Sequence, residues 1–211
     1  MVIAIDGPAG AGKSTVAKGV AAALGFSYLD SGAMYRCVAL ACQRSGTDLD
    51  DASAAGDLAA GLRIEPGPPA VLDGDEVESD IRTASVSAAA SRIARHQEVR
   101  EAMVAIQRDL LAEGNWVAEG RDIGTVVAPE AELKVFLDAD PRERARRRAA
   151  DEGRNADEVL DGLAERDTAD QQRRHGALRE AVGAVRIDST DSDAAAVVEQ
   201  IATLARDLGA D

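Results

Sequence analysis

The sequence predicts an α/β fold, a parallel sheet flanked by helices, and three observations carry that prediction. The chain opens on a β-branched apolar run, Val2 to Ile5, that leads into a glycine-rich turn and then a helical pattern. Two further runs, Trp116-Val117-Ala118 and Leu133-Lys134-Val135-Phe136-Leu137, have the nearly continuous apolar character of strands covered on both faces. Each is followed by a polar cluster and a helix-period pattern, the alternation from which parallel sheets are built.

The remaining elements follow in order. From Lys13, Val16, Val20, Ala23 and Leu24 recur at three- and four-residue spacings and predict the first helix. A short strand is expected around Phe26 to Leu29, then a helix over Gly32 to Arg44 ended by Gly46. From Asp48 to Asp80 ten acids face a single base, Arg63, and Gly67-Pro68-Pro69 and Asp73-Gly74 mark turns. Runs such as Ala70-Val71-Leu72 fit hairpin strands. With little apolar mass, residues 47–81 read as a small insert into a single domain whose core is 1–46 and 82–211. Ser85 to Glu113 reads as two helices broken near His96. Asp140-Pro141 places an acid at an N-cap and proline in the first turn of the next helix. Another helix is expected from about Asp157 to Gln172, a last strand at Val185-Arg186-Ile187 and a closing helix from Asp193 to Leu208.

Composition narrows the function. Of 211 residues 45% are apolar and 29% charged, the balance of a folded globular protein. No run approaches the roughly 18–20 apolar residues of a membrane span, and the N-terminus has no basic segment of the secretory kind. A formal net charge of −14 and 2% aromatics exclude a general nucleic-acid binder, which needs a basic face and stacking platforms. A small anionic ligand with its own pocket fits this balance. Cys37 and Cys42, five apart in a predicted helix, suit neither a metal nor a bridge and read as small buried residues in a reduced, cytoplasmic setting. No bulky apolar stripe asks for a partner subunit, so a monomer is expected.

Gly7-Pro8-Ala9-Gly10-Ala11-Gly12-Lys13-Ser14 matches G-x-x-x-x-G-K-[ST] and sits between a predicted strand and a predicted helix, the context that makes it a P-loop. Glycines let backbone N–H groups converge on phosphate oxygens, and the helix N-terminus adds partial positive charge. ATP is therefore the expected ligand of Gly7, Pro8, Ala9, Gly10, Ala11, Gly12, Lys13, Ser14 and Thr15. Lys13 is expected at the β and γ phosphates, and the Ser14 hydroxyl on Mg²⁺. The bland alternative is a flexible turn with a solvated lysine, in a chain whose only lysines are Lys13, Lys18 and Lys134.

Three other stretches are informative but ambiguous on residues alone. Glu119-Gly120-Arg121-Asp122 follows an apolar strand, where open α/β sheets bind ligands. Glu119 there can hold Mg²⁺ through water and Arg121 can face a phosphate, or both can be a solvated loop. Between Arg142 and Arg148 five arginines occupy seven positions. Arg144 and Arg148, four apart, share a helix face and are candidates to stabilise a transferring phosphoryl group together with Lys13. The alternative is a basic surface helix balanced by Glu143, Asp151 and Glu152. Arg166, Asp170 and Arg173 share another helix face, which an ion-pair ladder explains equally well.

Taken together, these motifs resemble those of the bacterial cytidylate kinases, P-loop nucleoside monophosphate kinases. The resemblance spans nearly the whole chain. It rests on the P-loop with its preceding Ile5-Asp6, Leu29-Asp30-Ser31-Gly32-Ala33-Met34-Tyr35-Arg36, Asp80-Ile81-Arg82-Thr83, Gly120-Arg121-Asp122-Ile123-Gly124-Thr125-Val126-Val127, Val135 to Ala139, and Glu165-Arg166-Asp167. It implies that the ATP γ-phosphoryl group passes to CMP or dCMP. It also implies an acceptor phosphate gripped by Ser31, Tyr35, Arg36, Arg121 and Arg173, a cytosine read by Ser91, Arg100 and Asp122, and a ribose held by Arg166 and Asp170. The insert at 47–81 would bind the monophosphate, and residues 141–156 would form a short lid. Glu119 departs from the aspartate expected before Gly-Arg-Asp. Two rival readings are a P-loop kinase for UMP, AMP or a metabolite such as shikimate, and a hydrolysing nucleotide switch. The second lacks the Asn-Lys-x-Asp guanine-reading motif.

Overall fold

Glycine-bounded strands and helices assemble as the periodicities predict. The computed structural model of the chain describes residues 1–210, and the side chains of Asp151 and Glu152, among the expected counter-charges of the arginine helix, lie outside the described residues. The chain divides into two units, residues 1–28 with 114–211, and residues 29–113.

The first unit holds a five-stranded parallel sheet in the order β2-β6-β1-β7-β8. Its strands are β1 (Val2–Asp6), β2 (Ser27–Asp30, begun by Ser27 and Tyr28 of this unit), β6 (Trp116–Gly120), β7 (Leu133–Asp138) and β8 (Val185–Asp188). In register, Asp6 stands opposite Gly120 on one side and Phe136 on the other, so β1 and β6 finish level while β7 runs on to Asp138. That alignment puts the glycine loop and the Gly120-Arg121-Asp122 turn at one carboxyl edge, where open sheets place their ligands. Helices α1 (Lys13–Leu24) and α9 (Ala194–Asp207) pack on the sheet, burying Ile3, Ile5, Val20, Leu137 and Ile201 completely. A smaller core of Ala145, Ala149, Val159 and Leu163 holds α7 (Pro141–Glu152) to α8 (Ala156–Gln171). After β6 the chain makes one wide helical turn, Ile123–Val127, instead of entering a long helix.

The second unit is helical with a small sheet. α2 (Ser31–Ser45) is capped by Asp30 and stopped by Gly46 at φ 75°, as its sequence predicts. Two helices, α5 (Ala84–Ile93) and α6 (Gln97–Leu111), are separated at His96. The expected hairpin at Asp73-Gly74 joins β4 (Val71–Leu72) to β5 (Asp75–Glu76), with β3 (Ile64–Glu65) pairing on the other side of β4. The acidic stretch also contains helix α3 (Ala52–Gly61), which the sequence reading did not expect. Asp51 caps it by accepting from Ala54 N, and its alanine face buries Ala55, Gly56 and Ala59, while Gly56 comes close to Glu98 of α6. A short helix, α4 (Glu78–Ile81), precedes α5. Cys37 and Cys42 are both buried and free.

Candidate active site

The loop after β1 is built so that only glycine fits at two points. A Cβ on Gly7 (φ 155°) would stand 2.0 Å from the Leu137 carbonyl oxygen, and one on Gly10 (φ 78°) 2.8 Å from that of Arg144. Gly12, also left-handed at φ 87°, leads into α1 without any side chain capping its first turn. The α1 amides therefore face the loop undistracted by a local acceptor, which is the physical requirement for cradling phosphate.

Lys13 is 6% exposed and its Nζ donates to the Pro8 carbonyl at 2.7 Å, arching over the loop. Burial, reinforced by the neighbouring Arg121 charge, pushes its ammonium down to about 7. An incoming anion reverses that balance by restoring a counter-charge. Ser14 and Thr15 open α1 with exposed side chains.

Behind the loop stands Asp6, the last residue of β1 and 3% exposed. Its carboxylate accepts from Ile123 N at 2.9 Å and Gly124 N at 2.8 Å. These bonds tie the wide turn after Asp122 to the strand that launches the P-loop. Burial, only partly offset by the two amides, raises the Asp6 carboxyl to about 6. Sequence reading ended the strand at Ile5, counted Asp6 only in the motif before the P-loop and gave it no task.

Arg121, Asp170 and Arg173, expected as separate ligand contacts, form one cluster. Asp170 Oδ2 accepts from Arg121 Nε at 2.8 Å and Asp170 Oδ1 pairs with Arg173 Nη2 at 2.5 Å, with the Asp170 side chain 2% exposed. Burial alone would raise Asp170, but Arg121 and Arg173 outweigh it and hold the carboxyl below its ordinary range. Arg166, one turn before Asp170, adds to the same field. Glu119 is buried and its Oε1 accepts from Tyr28 Oη at 2.6 Å, so the longer side chain at this position is held in place at the sheet edge. Asp122 is buried beside Asp6, close enough for the two charges to repel.

The arginine helix divides its labour. Arg146 and Arg147 both donate to Glu143. Arg144 is buried, donating Nε to Ala139 O and Nη1 to Ala9 O of the P-loop, and pairs with Asp167 of α8. Arg147 reaches across to the segment after β8, where Nη2 donates to Ser189 O at 2.6 Å and Nη1 to Ser189 Oγ at 3.1 Å. Arg148 is half-buried on the same helix. Arg147 and Ser189 to Asp193 line a 540 Å³ cavity beside Gly12 and Thr15. Sequence reading missed that wall, although a polar run at the carboxyl end of a strand is the available signal.

Within the second unit, α2 presents Ser31, Tyr35 and Arg36 in its first two turns. The buried Arg100 of α6 stacks its guanidinium 5.7 Å from the Tyr35 ring centre. Ser91 Oγ donates back to Ser87 O within α5. Asp30 Oδ2 receives two arginines, Arg36 and Arg82, at 3.3 Å each.

Comparison with known proteins agrees with this architecture. The cytidylate kinase family model matches residues 3–207. A cytidylate kinase of Solibacter usitatus (strain Ellin6076) is 47% identical, over 98% of this chain and 92% of its own length. One from Pelotomaculum thermopropionicum (strain DSM 13744 / JCM 10971 / SI) is 46% identical, over 94% and 93%. Among solved structures, TT1252 from Thermus thermophilus shares the fold at a TM-score of 0.51 and 22% identity, covering 98% of this chain and 97% of that one. A gluconokinase from Sinorhizobium meliloti 1021 does so at 0.50 and 17%, covering 98% and 94%. With a P-loop after β1, a Gly-Arg-Asp turn after β6 and a family match over almost its full length, this chain belongs to the cytidylate kinase family.

Proposed function

We propose that the chain transfers the γ-phosphoryl group of ATP to CMP or dCMP, yielding CDP or dCDP and ADP. The observation that carries the reading is the glycine loop at the end of β1. It leads into an α1 N-terminus that no side chain caps, and a buried lysine bridges it. Identity above 40% to relatives named cytidylate kinase supports the acceptor.

The donor phosphates lie on the amides of Gly7 to Thr15, with Lys13 moving from Pro8 O to the β and γ oxygens. The base of ATP occupies the cavity walled by Arg147 and the segment from Ser189 to Asp193. A phosphate oxygen of the monophosphate attacks the γ-phosphorus as the bond to the bridging β–γ oxygen breaks, and ADP departs with that oxygen. The nucleophile is already anionic, so no general base is required. Catalysis is alignment and charge neutralisation, with Arg148 assigned to the transferring group. Arg144, committed to Ala9 O, contributes by fixing the loop rather than by contact.

Acceptor contacts are assigned to Ser31, Tyr35, Arg36, Arg121 and Arg173 for phosphate, Ser91, Arg100 and Asp122 for cytosine, and Arg166 and Asp170 for ribose. Cytosine offers an amine donor and carbonyl and ring-nitrogen acceptors, which a carboxylate and a guanidinium complement. On the same reading, residues 47–81 are the acceptor-binding insert and 141–156 the lid, and the enzyme is a cytoplasmic monomer.

Magnesium fits the donor set. No group of three or more His, Cys, Asp or Glu side chains is arranged for a metal among the described residues. Mg²⁺, however, keeps several waters and takes most other ligands from substrate phosphates. The Ser14 hydroxyl and, through water, the Glu119 carboxylate would hold it. When bound it neutralises phosphate charge.

The test is an ADP-release assay with ATP and Mg²⁺ against CMP, dCMP, UMP and AMP. CMP and dCMP are expected to be turned over far faster than AMP. ATP hydrolysis at a rate indifferent to CMP would support a nucleotide switch instead.

A further inference from the structure

In the tetrapeptide Asp80-Ile81-Arg82-Thr83, Arg82 has no role in the reading above. Within the second unit the tetrapeptide joins α4 to α5. Ile81 is fully buried, and Thr83 Oγ1 caps α5 by accepting from Val86 N at 3.3 Å. Those two anchors fix the backbone on either side of Arg82. Its guanidinium returns to the N-terminus of α2, where Nη2 lies 3.3 Å from Asp30 Oδ2. Arg36 Nη2 approaches that same oxygen at 3.3 Å.

Capping α2 does not explain this convergence. The cap uses Oδ1, which accepts from Ala33 N at 2.8 Å. Oδ2 instead gathers two like charges, which repel at this range unless an anion sits between them. The carboxylate they share is itself only 8% exposed. The geometry is that of an oxyanion site, two guanidiniums and a helix N-terminus around one point, in which the anion is the chain's own carboxylate.

We propose that Arg82 is a further phosphate-binding residue for the acceptor. Its guanidinium exchanges Asp30 for the monophosphate that Arg36 also grips, and Asp30 holds the arginine pair together beforehand. This rests on the acceptor reading given above. A phosphate monoester outcompetes the carboxylate because it carries roughly −1.5 to −2 charge at neutral pH and three acceptor oxygens. Exposure indicates which arginine moves: 42% of the Arg82 side chain is in solvent against 18% for Arg36. Arg82 Nε also donates to Glu78 Oε1 at 2.8 Å, so its stem stays aimed while one amino group changes partner.

The experiment compares the wild-type enzyme with Arg82→Gln and Arg82→Lys in steady-state kinetics, and measures binding of CMP and of phosphate-free cytidine to each. Loss of a charged hydrogen bond is expected to raise KM for CMP on the order of 10- to 100-fold in Arg82→Gln. KM for ATP should stay within about twofold, as expected for a contact made only to the acceptor. Arg82→Lys should recover part of the loss, because it restores charge but not the planar fork. Cytidine binding should not move, so the preference for CMP over cytidine shrinks by the factor lost in KM. Equal weakening of CMP and cytidine would overturn the proposal in favour of a purely supporting role, and so would a wild-type KM for CMP in Arg82→Gln. Should Arg82→Gln not fold, a wild-type KM in Arg82→Lys overturns it equally. Failure of the wild-type enzyme to phosphorylate CMP would defeat the functional reading instead, and shows before any variant is made.

Discussion

Asp6 and Gly124, 118 residues apart in sequence, are joined by a 2.8 Å hydrogen bond from the Gly124 amide to the Asp6 carboxylate. With its twin from Ile123, this bond seats the turn that carries Arg121 and Asp122 on the strand that carries the P-loop. Asp6→Asn keeps the shape but presents an amide hydrogen to one of two buried N–H donors. A buried unsatisfied donor costs about 1–3 kcal/mol, which at neutral pH opposes the relief of removing a buried charge, so chemical denaturation at pH 7 should show little net change. The same variant should raise KM for CMP, because Asp122 loses its seat.

Asp6 also predicts a pH dependence. Its carboxyl lies at about 6 in the folded chain against an ordinary 3.8, so between those values the folded state holds the extra proton. Stability from this group is complete below pH 3.8 and is lost as pH rises through about 6, on the order of 3 kcal/mol in all. Unfolding titrations from pH 4 to 7 should show this fall in the wild type and its removal in Asp6→Asn. An identical slope in both would assign the titration elsewhere.

Arg144 ties α7 to the P-loop through Ala9 O and to α8 through Asp167. Arg144→Ala strips the half-buried Asp167 of its partner, a change that costs less than the about 3–5 kcal/mol of a fully buried pair. A lowered Tm together with a raised KM for ATP is expected, since the loop loses its brace. Unaltered Tm would mean the pair contributes nothing to the fold.

Lys13 is buried at the expense of its own charge, so Lys13→Met should leave the Tm unchanged or higher. Its loss from the transition state should lower kcat by at least about 10²–10³. Near-normal turnover in single-turnover assays would remove the P-loop from the mechanism.

Asp122→Ala should raise KM for CMP on the order of 10- to 100-fold with little change for ATP, as expected for loss of a charged hydrogen bond to the base. An equal effect on both substrates would contradict cytosine reading by this carboxylate.

Much of this was legible before any coordinates. The strand–glycine–lysine sequence at 2–14, the Asp30 cap with Gly46 beyond α2, and the turn at Asp73-Gly74 are local, each set by a few neighbours whose backbone preferences agree. Helix α3 was hidden because its acidic surroundings masked an alanine face that becomes apolar surface only when α6 covers it.

By itself, the sequence determined the order of elements, the phosphate loop and the charged residue types available to a nucleotide, because periodicity and turn chemistry act over a few residues. Only the tertiary structure decided which charges meet. It brought Arg121 onto Asp170, Arg144 onto the P-loop carbonyl, Arg147 onto Ser189, and Arg82 onto the cap of α2. Contacts that span 42 to 135 residues depend on where packed strands and helices end, and no local preference of the chain encodes that.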